Sequence, residues 1–316
     1  MTIAIAICTL RRARSLARTL ESLAQCHPPR ATDWSVLVID NVGCPETKAV
    51  VDSFRDRLPI SLVVEPAVGQ ARARNTAIAS ASCDYFLWTD DDVTVAPDWI
   101  REYEAAIERH PEAAFFGGPI LPRFEGNPPA WIAACLPQIY TAFAGRDLSR
   151  EAARFDQTSR QLPFGANLMI RAVEQRRFRF DVTLGRQPGW HLLGGEELDC
   201  LRRICAAGGV GFWVPDAGVE HWIDAGRQSI EYLRRFYGGV GFLEVRRALA
   251  ANSSLGSMGT LHARWQWIRS EAAYLIGRMT GRPESWIKAL KKSAKLSGQI
   301  AARRALTARA APGSNG

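Results

Sequence analysis

No stretch of about 18 consecutive apolar residues occurs anywhere in the 316-residue sequence, and a membrane-spanning helix needs roughly that many. Cysteine pairs with metal-ligand spacing are also missing. The seven cysteines are an odd number, and no Cys-x-x-Cys occurs among them. That argues against a disulfide framework or a zinc knuckle and predicts reduced thiols in a cytosolic protein. The segment after the first apolar run, "CTLRRARS" from Cys8 to Ser15, contains no glycine. A glycine-rich phosphate loop of the nucleotidyltransferase kind is therefore absent there. The formal net charge is +8, yet no RNA- or DNA-binding signature accompanies it, so no nucleic-acid partner is expected. The opening "MTIAIAICTLRR" lacks positive charge ahead of its apolar run, and it reads as a strand instead of a signal peptide. No internal repeat or low-complexity block is visible.

What is present is an ordinary globular composition, 47% hydrophobic and 23% charged, enough for one large core or two smaller ones. The charge is uneven. Residues 261–310 hold eleven Lys and Arg against Glu271 and Glu284, a local +9. The rest is nearly neutral, so the tail needs its own explanation.

Strand and helix patterns alternate over the first 110 residues or so. Thr2–Ile7, Trp34–Asp40, Ile60–Glu65 and the stretch "DYFLWTD" ending at Asp90 read as buried strands. Between them, Arg14–Gln25, Cys44–Leu58 (with Ala49, Val50, Phe54 and Leu58 on one side) and the residues after Gly69 read as helices, and another begins at Pro97. This order predicts an α/β fold with a mostly parallel sheet and helices on both faces. Gly- and Pro-rich "FFGGPILPRFEGNPPAWI" reads as loop with short extended pieces. "LPFGANLMIRA" reads as a strand, Gly194–Gly209 as a helix, and "VGFWVPDAGVEHW" as a final strand and turn.

In such sheets ligands bind beyond the carboxyl ends of the strands. Thr9, Arg11 and Arg12 follow the first strand, Asp40 and Asn41 end the second, Gly69, Arg74 and Asn75 follow the third, and Asp90, Asp91 and Asp92 end the fourth. Three adjacent carboxylates at a dry strand end need a compensating cation. Mg²⁺ or Mn²⁺, held by one or two carboxylates and substrate phosphates, fits that need. Taken alone, the triplet reads equally well as an acidic turn capping the next helix.

Four segments in order give a more specific reading. "AIAICTLRR", "VLVIDN", "EPAVGQARARNTAIASASCDYFLWTDDD" and "GGEELDCLRRICAAGGVGFWVPDAGVEHW" resemble the motifs of the family 2 glycosyltransferases over about residues 2–225. The resemblance implies a GT-A fold and an inverting, metal-dependent sugar transfer from a nucleotide-diphosphate sugar. It implies that Thr9, Arg12, Asp40, Arg74, Asn75, Asp90 and Asp91 serve the nucleotide sugar. Asp92 and His221 would hold the metal, and Glu197 would deprotonate the acceptor hydroxyl. The chain departs from the family pattern at Cys8, Glu65-Pro66 and Ala77. The usual Glu-Asp pair is here Glu196-Glu197, which leaves Glu196 as a second candidate for the base.

Plainer readings stand beside these. Glu196 and Glu197 can be first-turn acids that complement a helix dipole, His221 a packed imidazole, Thr9 a helix cap and Arg72 a solvated charge. Trp190 reads either as a platform for an acceptor sugar or as core.

Beyond residue 225 the sequence predicts a helical, basic, amphipathic region through 316, its last residues disordered. Trp265, Ile268, Ala272, Leu275, Ile276 and Met279 share one helical face, and Trp286, Ile287 and Leu290 lie beside four lysines in a second helix. Two readings are open. Either these helices meet an anionic membrane surface, or they pack on the catalytic domain and expose their charges. The expectation is thus a 1–225 catalytic domain with a 226–316 helical extension, cytoplasmic or peripheral on the inner face of the cytoplasmic membrane. It would act on a glycan or lipid-linked acceptor in cell-surface polysaccharide synthesis. The rival readings are a nucleotidyltransferase and a non-catalytic glycan-binding or assembly subunit.

Overall fold

The computed structural model describes residues 1–185, 194–250 and 260–310. Two compact units are formed. The first comprises Met1–Arg123, Phe143–Arg186 and Gly195–Ile223; the second comprises Phe124–Ala142, Gln187–Gly194 and Asp224–Gly316.

The first unit carries strands β1 (Thr2–Thr9), β2 (Asp33–Asn41), β3 (Ile60–Glu65), β4 (Tyr85–Asp90), β5 (Val93–Val95), β6 (Phe115–Gly117), β7 (Ile120–Phe124), β8 (Arg154–Phe155), β9 (Asn167–Arg171), β10 (Gly211–Trp213) and β11 (Val219–Ile223). Its helices are α1 (Ala13–Ala24), α2 (Pro45–Ser53), α3 (Gln70–Ser80), α4 (Trp99–Arg109), α6 (Ala172–Arg177) and α7 (Glu196–Ala206), while α5 (Ala130–Ile139) belongs to the second unit. Eight strands form one sheet in the order β3-β2-β1-β4-β9-β6-β10-β8, and β5-β11-β7 form a small second sheet. The β3-β2-β1-β4 half is parallel throughout. β9 then enters antiparallel to β4 and to β6.

Period-2 alternation in β1 explains the layering. Ile3, Ile5 and Ile7 point to one core, where they meet Leu16, Leu20 and Leu23 of α1 and Trp99, Ile100 and Tyr103 of α4. Ala4 and Ala6 point to the other, against Ala73 and Ala77 of α3 and Leu201 and Ile204 of α7. Both faces are therefore covered by helices. The registers Thr9↔Asp40 and Cys8↔Asp90 bring three polar strand ends side by side.

Local expectations need correction in three places. α2 stops at Ser53 rather than Leu58, and its inward residues are Thr47 and Val51, with Ala49 exposed. Phe54 and Leu58 still reach the core, but through the turns that follow the helix. "VGFWVPDAGVEHW" supplies two strands, β10 and β11, and they belong to different sheets.

The second unit is helical. After α5 come α8 (Ile230–Ala250), a helix over Thr260–Met279 and a final helix over Pro283–Ala310. The final helix and α8 cross with their backbones in contact: a Cβ added at Gly298 would lie 1.8 Å from the Gly238 carbonyl oxygen, and one at Gly241 would lie 2.0 Å from that of Lys295. Trp286, Ile287 and Leu290 of the final helix are buried. Two of its lysines are engaged, Lys295 with Glu244 at 2.8 Å and Lys291 with the Gln138 carbonyl. This helix therefore packs within the second unit through Trp286, Ile287 and Leu290. The helix Thr260–Met279 behaves differently. It buries Ala263, Ser270 and Tyr274 and turns its larger apolar side chains outward. No described helix is long and apolar enough to cross a membrane.

Candidate functional site

The carboxyl ends of β1, β2 and β4 and the start of α7 converge on one charged cluster. At its centre, Asp91 is buried, accepting from the Thr9 hydroxyl at 2.7 Å and from Arg12 Nη1 at 2.6 Å. Arg12 Nη2 reaches Asp92 Oδ2 at 2.9 Å. Burial pushes the Asp91 carboxyl up to about 7; the Arg12 guanidinium opposes the rise and the Asp92 charge adds to it. Burial disfavours the Arg12 charge, but Asp91 and Asp92 outweigh it and hold its pKa above the usual value.

Asp90, Asp92 and His221 bring one ligand atom each to within 4.8 Å of one another. His221 sits on β11, opposite Val93 of β5 in the strand pair, and is 1% exposed. Its Nδ1 lies 2.8 Å from the Phe143 carbonyl, which can only accept, so Nδ1 carries the hydrogen. In a neutral ring held this way, Nε2 presents a lone pair to Asp92 Oδ1 at 3.2 Å. Two acceptors at that distance need a cation or a proton to reconcile them. A histidine fixed through its far nitrogen by a carbonyl is the usual second-shell arrangement of a metal ligand. Two carboxylates and one imidazole suit a divalent ion of the Mg²⁺ or Mn²⁺ class.

Arg74 is the second hub. It lies on α3, 4% exposed, with Glu196 at 3.1 Å, Asp90 at 3.6 Å and Glu197 at 3.8 Å. Its guanidinium lies over the Phe180 ring, 5.3 Å from the centroid. Burial disfavours its charge, but Glu196, Glu197 and Asp90 more than compensate and raise its pKa. Gly165 makes room for it, since an added Cβ there would meet Nη2 at 2.4 Å. Both glutamates occupy the first turn of α7, which starts after Gly195 in the left-handed conformation (φ 92°). Glu196 is buried on Arg74, whereas the Glu197 side chain keeps 16% exposure.

Asp40 stands at the end of β2, 1% exposed. Its Oδ2 accepts from the Cys44 amide at 2.5 Å, and its Oδ1 has no hydrogen-bond partner among the described residues. Nearby, Arg11, Arg12, Arg14, Cys44 and Glu46 line a cleft of about 700 Å³. Its rim is strained: Arg11 has φ 54° and β-branched Val42 has φ 123°, conformations that cluster at binding sites.

Asn75 is not brought into the cluster. Its amide donates to the Phe180 carbonyl at 2.9 Å and accepts from the Phe180 amide at 3.0 Å, which steadies the ring beneath Arg74. Trp190 lies outside the described residues. Two residues escaped the sequence reading. Arg146 is nearly buried over the Phe164 ring, 3.8 Å from the centroid, and burial lowers its pKa to about 10 against the pull of Glu197. No local pattern marks it. Asn167 accepts from Trp99 Nε1 at 2.9 Å and Tyr103 at 2.7 Å, and donates to the carbonyls of Pro119 at 2.9 Å and Ala217 at 2.7 Å. It ties the segment leading to His221 onto β9, and a polar residue heading an apolar strand was the available signal.

Comparison with known proteins identifies the family and the fold. The family model for glycosyl transferase family 2 matches residues 4–173. The succinoglycan biosynthesis protein ExoM of Rhizobium meliloti is 29% identical over 251 residues, 74% of this chain and 72% of that protein. The glucosyl-dolichyl phosphate glucuronosyltransferase of Haloferax volcanii is 25% identical over 246 residues, 76% of this chain and 75% of that protein. Among solved structures, the mannosyltransferase PcManGT of Pyrobaculum calidifontis, in complex with GDP-Man and Mn²⁺, superposes with a TM-score of 0.57 at 17% identity, covering 99% of this chain and 76% of that one. The fold is that of the GT-A glycosyltransferases. The match leaves no ground for the nucleotidyltransferase and non-catalytic readings: the chain belongs to glycosyl transferase family 2 and is a glycosyltransferase.

Proposed function

We propose that the protein transfers a sugar, with inversion, from a nucleotide-diphosphate sugar to a hydroxyl of a glycan or lipid-linked acceptor in cell-surface polysaccharide synthesis. The observation that carries this reading is the joining of two clusters through Arg74: the Asp90–Asp92–His221 ligand set on one side and the Glu196–Glu197 pair on the other. Asp40 receives an N–H of the nucleotide base on its partnerless Oδ1. Thr9 and Arg12 hold Asp91, and with it the acidic turn, beneath the nucleotide. Asp92 and His221, with Asp90 beside them, hold Mg²⁺ or Mn²⁺, which when bound supplies Lewis-acid stabilisation of the leaving diphosphate.

Glu197 takes the proton of the acceptor hydroxyl as the new bond forms. It is the more open of the two glutamates, whereas Glu196 is held on Arg74. One base and a single displacement give inversion; retention through a covalent intermediate would call for a carboxylate nucleophile. The acceptor class is suggested by relatives named for succinoglycan biosynthesis and for transfer to a dolichyl phosphate-linked sugar. We assign donor binding and catalysis to residues 1–225 and acceptor or surface contacts to 226–316. A lipid-linked acceptor would locate the reaction at the cytoplasmic face of a membrane.

Calorimetry with UDP and GDP, with and without Mn²⁺, tests the donor site. Wild type should bind one nucleotide far more tightly with Mn²⁺, and Asp92→Asn should lose that gain because a charged oxygen ligand is gone. Unchanged affinity for both nucleotides in the variant removes Asp92 from the metal site.

A further inference from the structure

We infer that the helix Thr260–Met279 lies flat on an anionic lipid bilayer through its outward apolar stripe. Leu261, Trp265, Ile268, Leu275, Ile276 and Met279 are 81%, 56%, 58%, 59%, 63% and 88% exposed. At 100° per residue they fall on one arc about 100° wide. From first to last the stripe runs about 27 Å at 1.5 Å per residue. Ordinary surface leucines occur singly; six large apolar side chains in one continuous line need a partner.

The opposite face is already occupied. Ala263, Ser270 and Tyr274 are buried, and an added Cβ at Gly277 would meet Trp286 Cβ at 2.8 Å. The helix is therefore fixed by its small and polar side, and it cannot roll over to hide the stripe.

Charge identifies the partner. Arg264 borders the stripe on one side and Arg269 on the other, with Arg278 farther round beyond Arg264. The Arg269 guanidinium lies 4.6 Å from the Trp265 ring centroid, so it covers the stripe's edge without leaving it. The helix has one acid, Glu271, and its carboxylate is engaged by Arg234 at 2.5 and 3.0 Å. An apolar band with tryptophan in it and arginine on both edges matches the acyl-headgroup boundary of an anionic leaflet.

A second copy of the chain fits less well, although the apolar spacing resembles a coiled-coil seam. A parallel pair would set Arg264 against the second copy's Arg269, and an antiparallel pair would set it against the second copy's Arg278. Either arrangement juxtaposes like charges at the flanking positions.

The inference extends the membrane-facing reading of the acceptor without depending on it, because vesicle binding is measured with no substrate present. The full chain is sedimented with vesicles of phosphatidylcholine alone and of phosphatidylcholine mixed with phosphatidylglycerol, at low and high salt. Wild type should bind the mixed vesicles and not the neutral ones, more weakly at high salt. Ile268→Ser with Leu275→Ser should weaken binding at least about tenfold, since binding scales with buried apolar area. Both positions are exposed, so the melting temperature should hold. Arg264→Gln with Arg269→Gln should remove the preference for phosphatidylglycerol. Light scattering supplies the rival outcome. Absence of wild-type binding, equal binding by the serine variant, or a wild-type dimer that the serine variant dissociates would each overturn the inference.

Discussion

Arg74→Met is the substitution on which the site's electrostatics can be measured. Methionine keeps most of the side-chain volume over Phe180 and removes the charge. Glu196, 1% exposed and 3.1 Å from Arg74, would then keep a buried carboxylate without its cation. Breaking a buried pair by removing one partner costs about 3–5 kcal/mol. Asp90 and Glu197, with side chains 27% and 16% exposed, can recover hydration and add less. The lost cation–aromatic contact contributes about 1 kcal/mol. Against a typical domain stability of about 5–15 kcal/mol, the variant should fold but unfold at clearly lower urea. Adding Glu196→Gln should recover part of the loss, since the amide removes the buried charge; the cycle of single and double variants isolates that coupling. A loss below about 1 kcal/mol for Arg74→Met, the usual effect of a surface change, or a double variant no more stable than the single, would refute the claim that Arg74 holds this cluster together.

Glu197→Gln should retain nucleotide binding and lose about 10²–10⁴-fold in transfer, the range for a missing general base; loss in Glu196→Gln with an active Glu197→Gln would reverse the assignment of the pair. In the second unit, Arg234 and Ser293 hold the Glu271 carboxyl below its ordinary value of 4.5. A depressed folded-state pKa gives stability that is present above that value and lost as pH falls through the folded one. Wild type should therefore lose more melting temperature between neutral and strongly acidic pH than Glu271→Gln does; parallel pH curves would contradict this. Cys26, Cys135, Cys200 and Cys205 are buried, and Cys8, Cys44 and Cys83 are partly accessible. A thiol reagent should titrate at most three cysteines in the native protein and all seven in denaturant; a fourth fast native thiol would show local opening.

The parallel half of the sheet was legible because each strand is a short apolar run: Ile and Ala alternate in β1, and the runs of β2 and β4 each close on an aspartate or asparagine at the site. Three of the four site-bearing segments were legible for the same reason, since Thr9, Asp40 and Asp90 stand at strand ends in paired register, whereas Glu196 and Glu197 open a helix. What failed was direction and context. Phe54 and Leu58 are four apart and both buried, so they imitate a helical face, although turns carry them inward. The stripe from Trp265 to Met279 was visible as a pattern, but periodicity cannot say which side of a helix meets protein. Small residues at Ala263, Ser270 and Gly277 let neighbouring chain approach closely, and that decided it. Arg146 was illegible because its significance comes from Phe164 and Gln161, which only the fold brings to it.

Asn167 shows how chemical resemblance and structural tolerance can part company. Its amide is read by direction, two hydrogens pointing at the carbonyls of Pro119 and Ala217 and one oxygen receiving Trp99 and Tyr103. Aspartate has the same outline and differs by one group, yet it would set an oxygen against those two carbonyls at 2.9 and 2.7 Å. The nearest isostere is thus a worse occupant than its shape suggests. It is also what spontaneous deamidation of an asparagine produces. Burial of Asn167 in the first unit's interior protects against that conversion for as long as the fold stays closed.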